Sequence, residues 1–364
     1  MTVTFAEKLA RMPGYQAGVP TGHAPESIAA AGIAQLASNE SSIPPHPKVI
    51  EAIRESAAAM NRYPDPDATL LRQRLADRYE TEPGRIAIGN GSCEILLAAA
   101  DALCEPGSEI VYAWPSFSIY PYLPALSGAR EIRVPLAEGE AHDLDAMAAE
   151  VTAATQLLIV CNPNNPTSTH LPASEISAFC ERIPDHVTVI LDEAYIEFQA
   201  NDDPDTTLDL LAEFPNLVIV RTFSKCYGLA GLRVGFAIGS SNFRAAVDAV
   251  RQPFSVNALA QAAGAEAILH SDDVLRRVES TILERLHVEE GLGELGLSTA
   301  DTETNFSWID LGEAEEGEIV AGLADRQIAV RPGTPLGSPG HIRVSYGTRA
   351  ENDRFLAAMA ELLD

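Results

Sequence analysis

"LVIVRTFSKCYGLAGLRVGFAIG", residues 217–239, opens as a run of β-formers, reaches a single lysine at Lys225, and places Arg233 eight residues later among glycines. Four consecutive apolar residues without alternation read as a strand buried on both faces. The pattern recurs upstream in "EIVYAWPSF" (109–117), "QLLIVCNPNNPTS" (156–168) and "VTVILDEAY" (187–195). Each is a short Val/Ile/Leu-rich run that closes on polar or glycine-bearing residues. "RIAIGNG" (85–91) followed by "SCEILLAAADALC" (92–104) reads as strand, glycine turn and helix. Helical spacing marks "PHPKVIEAIRESAAAM" (45–60), "TLLRQRLADRYE" (69–80) and "PASEISAFCERI" (172–183).

Buried strands alternating with helices predict an α/β domain, a mostly parallel sheet between helices. Ligands of such sheets sit beyond the carboxyl ends of the strands, where the unusual polar residues of this chain fall. After about residue 245 the pattern changes to a long helix (272–296) and short strands in "NFSWIDL", "IAVRP" and "HIRVSYG". These predict a smaller α+β domain. The expected division is an N-terminal arm and part of the small domain at 1–38, a large domain at 39–245 and a small C-terminal domain at 246–364.

Composition narrows the function. The 364 residues carry 25 basic and 52 acidic side chains, a formal charge of −27. That field repels nucleic acid and anionic membranes, so any anionic ligand needs cations placed locally. Apolar runs break well before the ~18 residues of a membrane span, and "MTVTFAEKLARMPGYQAG" (1–18) shows no apolar signal region. The five cysteines are irregularly spaced without a CxxC, and the eight histidines form no ligand cluster. The expectations are a cytoplasmic protein with reduced thiols and no metal.

Taken singly, the strand-end residues have plain readings. Lys225 suits a strand end reaching for water, Asp192 a helix cap, Asn165 a rigid turn, Arg233 a surface ion pair. As a set they fit one chemistry. A lysine amine in an apolar pocket has a lowered pKa and bonds aldehydes. A carboxylate beside a pyridinium nitrogen keeps the ring electron-withdrawing. Glycine-turn amides at a helix start, with Ser224 and Arg233, suit a phosphate dianion. These are the requirements of pyridoxal 5′-phosphate.

"CNPNNPTS" (161–168), "LDEAY" (191–195) and "RTFSKCYGLAGLRVGF" (221–236) resemble the signature blocks of fold-type I aminotransferases of the histidinol-phosphate aminotransferase subfamily. The similarity runs in order from "LASNES" (36–41) through "NRYPDPDATLLRQRLA" (61–76), "GNGSCEIL" and "WPSFSIYP" to "QIAVRPG" and "HIRVSYGT". Within the subfamily it is nearest to the actinobacterial aromatic amino acid aminotransferases. The resemblance implies that Lys225 bonds the cofactor and carries the substrate proton, that Asp192 pairs with the ring nitrogen, and that Asn165 and Tyr195 hold the ring oxygen. Phe117 would stack on the ring. Ser92, Cys93, Ser224 and Arg233 would hold the phosphate, with Tyr63 reaching it from the neighbouring subunit of a homodimer. Arg343 would take the substrate α-carboxylate, a task suited to guanidinium geometry. Arg331 and Tyr15 would lie near the distal end of the substrate, and Asn39 in an arm closing over it.

The chain departs from the family at three places. The usual NENPYGPSP becomes "NESSIPPHP" (39–47), the glycine after "NPNNPT" is Ser168, and Cys93 replaces a frequent aspartate. The implied reaction is transamination of phenylalanine, tyrosine or tryptophan with 2-oxoglutarate, giving aromatic oxo acids and glutamate by a ping-pong route. The rival substrate is histidinol phosphate. An inactive homologue sits poorly with intact Lys225, Asp192 and Arg233. A nucleotide site fails because "GNGSCE" lacks the third glycine of the dinucleotide fingerprint and no GxxxxGK[ST] occurs.

Overall fold

The computed structural model describes residues 3–14 and 32–363. Seven strands form the central sheet: β2 (Ile86–Gly89), β3 (Glu109–Trp114), β4 (Arg130–Pro135), β5 (Thr155–Cys161), β6 (Thr188–Asp192), β7 (Leu217–Thr222) and β8 (Gly235–Ile238). Their order is β2-β8-β7-β6-β5-β3-β4. Neighbours from β7 through β4 are parallel, whereas β8 runs antiparallel to both β7 and β2. The sheet is therefore the mostly parallel one expected, within an α/β fold.

Alternation along each strand divides its residues between two cores. Leu158, Val160, Val189, Leu191 and Ile219 belong to one. Leu157, Ile159, Cys161, Ile190, Val218 and Val220 belong to the other. Both faces are dry, so each strand reads as a continuous apolar run. Every fully buried Ile or Val contributes about 1.5–3 kcal/mol relative to exposure. The same period of two puts Cys161, Asp192 and Thr222 on the face of this second core, at the carboxyl ends of β5, β6 and β7. Cys161 pairs in register with Asp192, and Asp192 with Val220. The chemistry thus stands on adjacent strand ends.

The smaller sheet joins β9 (Ser298–Thr299), β10 (Phe306–Asp310), β12 (Arg331–Pro332) and β13 (His341–Ser345) in the order β12-β13-β10-β9. Strand β1 (Ala34–Gln35) pairs in parallel with β11 (Ile328–Ala329), tying the segment before residue 38 to this region. Helices Ser271–Glu294 and Arg349–Leu363 supply Val288, Leu292, Phe355 and Met359 to its core. The helix Ala258–Ala267 packs on Pro47–Ala57 and Thr69–Arg78 and adds Ala260 and Ala263 to the first core of the large sheet. Among the described residues no helix is long and apolar enough to cross a membrane.

Candidate active site

A cavity of about 290 Å³ opens over the carboxyl ends of β5, β6 and β7. Its wall brings together Ser92, Cys93, Phe117, Asn165, Asp192, Tyr195, Ser224, Lys225 and Arg233. These come from six separate stretches of sequence and meet because parallel strands end on one edge of the sheet.

Strand β7 ends where the Thr222 hydroxyl accepts the Ser224 N–H at 3.1 Å, a local turn that competes with the ladder. The turn carries Lys225 onto the cavity wall, its Nζ donating to Ser38 O at 3.2 Å and lying 5.5 Å from the centre of the Tyr195 ring. Withdrawal from water lowers the Lys225 ammonium to about 7, and neighbouring Arg343 adds to the shift. Its amine is therefore partly neutral at neutral pH.

Asp192 is 1% exposed. Its Oδ2 accepts the Tyr120 hydroxyl at 2.8 Å, while Oδ1 is buried without a hydrogen-bond partner among the described residues. Burial raises the carboxyl to about 6, with the Tyr120 bond acting in the opposite direction. A buried acceptor left open in a cavity wall is costly unless a ligand donor meets it.

Ser92 begins the helix Ser92–Leu103, whose N-terminal turn presents amide N–H groups to the cavity end. Arg233 adopts a left-handed backbone, φ 57°, and donates to Ser224 Oγ at 3.3 Å and Ala230 O at 3.0 Å. The guanidinium crosses directly over Gly91, where a Cβ would stand 2.4 Å from an Arg233 terminal nitrogen. Gly91 is needed there for this approach and for its φ of +76°. Gly235 serves the same corner, since a Cβ would meet the Ser92 nitrogen at 2.5 Å. Two backbones and a guanidinium thus make a small, donor-lined cradle.

A family model described as aminotransferase class I and II matches residues 31–359. The chain belongs to this family. A protein of Thermobifida fusca (strain YX) named aromatic amino acid aminotransferase is 45% identical over 326 residues, 89% of this chain and 88% of the relative. One of the same name from Streptomyces coelicolor is 40% identical over 346 residues, 94% of this chain and 95% of the relative. Among solved structures, histidinol-phosphate aminotransferase from Sinorhizobium meliloti in complex with pyridoxal-5′-phosphate superposes with a TM-score of 0.87 at 29% identity, covering 100% of this chain and 98% of that one.

The other described candidate residues of this aminotransferase are not on that wall. Arg343, 7% exposed on β13, donates to Asn165 Oδ1 and, at 2.9 Å, to Ala37 O. Arg331 stands directly opposite Arg343 in the β12–β13 register. Asn39, 1% exposed, lies behind Tyr195 with its amide bonded to Tyr195 OH at 3.0 Å and to Ser345 Oγ at 3.0 Å. Tyr63 is 82% exposed and stacks on Phe254 at 4.7 Å, away from this chain's own cavity. Tyr15 lies outside the described residues.

Two further features of the site have no place in the sequence reading: the Tyr120 hydroxyl that holds Asp192, and the ion pair of Glu193 with Arg221 at 2.8 Å beneath the site, both at most 2% exposed. The signal for that pair was present: a second acid in "LDEAY" and an arginine inside an otherwise apolar strand.

Proposed function

We propose that this aminotransferase transfers the amino group of phenylalanine, tyrosine or tryptophan to 2-oxoglutarate, using pyridoxal 5′-phosphate bonded to Lys225. The observation that carries this reading is that Asp192, with Oδ1 lacking a hydrogen-bond partner among the described residues, and Lys225 line one cavity. The fit extends to the other end, where Gly91 leaves room for Arg233 over a helix start, a shape and charge suited to a phosphate.

When bound, the cofactor supplies an aldehyde for an amine and a ring that withdraws electrons from the substrate Cα. The rest is the work of the chain. Asp192 Oδ1 would accept the ring N–H and keep that nitrogen protonated. Ser92 and Cys93 amides, Ser224 and Arg233 would hold the phosphate, and Phe117 would lie against the ring. Asn165 and Tyr195 would hold the ring oxygen. Arg343 receives the substrate α-carboxylate and so orients Cα toward Lys225. Lys225 Nζ, as a free amine, would take the Cα proton, a general-base contribution of about 10²–10⁴-fold. The amino acid would leave as its oxo acid, its amino group kept on the cofactor, before 2-oxoglutarate enters and takes that group, a ping-pong order.

The aromatic preference is supported by the names of relatives at 40–45% identity. In the proposed cytoplasmic homodimer, exposed Tyr63 serves the partner's phosphate. Steady-state comparison tests the substrate: kcat/KM for phenylalanine is expected to exceed that for histidinol phosphate, and the reverse ranking would overturn the assignment.

A further inference from the structure

Two side-chain amides meet at the Tyr195 oxygen, and the protein dictates the polarity of both. Arg343 has donors alone, so its bond to Asn165 forces Asn165 Oδ1 toward the guanidinium. Asn165 Nδ2 then faces Tyr195 OH, at 3.4 Å. On the other side, Ser345 Oγ accepts the Asn39 backbone N–H at 2.7 Å. The Ser345 hydroxyl proton is directed to Asn39 Oδ1 at 3.0 Å, and turning the amide over would strip that proton of its acceptor. Asn39 Nδ2 therefore faces Tyr195 OH as a donor, at 3.0 Å. With two N–H groups on the phenol oxygen, the remaining direction for its own proton is the cavity.

Arg343 and Ser345 are two residues apart on β13, on one face of the strand. We propose that Asn39 and Ser345 are positioning residues: together with the Arg343–Asn165 bond they make the Tyr195 hydroxyl an obligate donor into the cavity, set from the strand that holds the substrate carboxylate. Asn39 then acts through Tyr195, while its neighbours Ser38 and Glu40 line the cavity wall. Charged and titratable groups facing the phenol are Arg343, Lys225, Asp192 and Cys161.

The inference rests on the cofactor reading above, and one experiment separates the two. Cofactor-loaded, full-length protein is titrated from pH 5 to 10 by its visible absorption, with circular dichroism to confirm the fold. A proton donated to the ring oxygen weakens that oxygen's hold on the neighbouring proton of the chromophore, so losing the donor raises the midpoint. Asn39→Asp, an acceptor that recaptures the phenol proton, is expected to raise it by about one unit, tenfold in the proton equilibrium. Ser345→Ala adds no charge and is expected to give a smaller rise of the same sign, whereas Ser345→Thr restores the wild-type midpoint. Wild-type midpoints in both Asn39→Asp and Ser345→Ala, with Tyr195→Phe shifted, would overturn the positioning role alone. A wild-type protein with no visible band would overturn the cofactor reading and this inference with it.

Discussion

Lys225 combines two demands that conflict in water: it must be neutral to bond an aldehyde, yet remain basic enough to take a proton. Partial withdrawal from water and the nearby Arg343 settle this by lowering the ammonium to about 7. The neutral fraction grows as pH rises through that value. Reloading of the apoprotein with pyridoxal phosphate is therefore expected to accelerate from pH 6 to 8 and level off above, followed by stopped-flow absorbance. Acceleration continuing to pH 10 would mean an ordinary lysine. Asp192 carries the opposite shift, to about 6, because burial disfavours its charge; in the proposed reading the ring N–H would be the donor that offsets this. Replacing it in Asp192→Asn is expected to lower kcat by at least about 100-fold, the scale of losing one preorganised electrostatic partner. An unchanged kcat would contradict the pairing.

The elements explain why these side chains are so close. Three adjacent parallel strands end at one level, and the period of two turns Cys161, Asp192 and Thr222 to one side. The Arg221–Glu193 pair beneath them ties β7 to the end of β6, with Asp205 also on the guanidinium at 2.7 Å. Breaking it in Arg221→Met leaves a buried carboxylate uncompensated, so denaturant unfolding is expected to show a loss of about 3–5 kcal/mol. At the cradle, Gly91→Ala drives a methyl into Arg233. The pyridoxal phosphate Kd, by fluorescence titration, is expected to rise about tenfold to a hundredfold, as for one lost charge-assisted bond. Strands β5, β6 and β7 were legible because both faces are dry and the apolar runs are unbroken. Two were not read. β4, "REIRVP", is an edge strand with Val134 as its one buried residue. β8, "GFAI", follows the glycine-rich turn so closely that it merges with it, and its antiparallel direction has no local signature.

At the scale of the whole molecule, a net charge of −27 surrounds a site built to receive anions, so Arg233 and Arg343 must act locally. Cofactor-cradle residues were legible because they cluster within short, ordered blocks. The contact of Tyr195 with Asn39 and of Asn39 with Ser345 was not, since Asn39 and Ser345 meet across a separation of 306 residues and the blocks that hold them carry no sign of that meeting. The proposed homodimer predicts a light-scattering mass twice the 38.9 kDa chain. Tyr63→Ala is expected to weaken cofactor retention although Tyr63 does not touch its own cavity; a monomeric active enzyme would contradict this. The account as a whole stands on a covalent bond at one amine. Borohydride reduction of the folded, cofactor-loaded protein, followed by peptide mapping, is predicted to place the pyridoxyl label on Lys225. A label on another lysine, or no label, would contradict it.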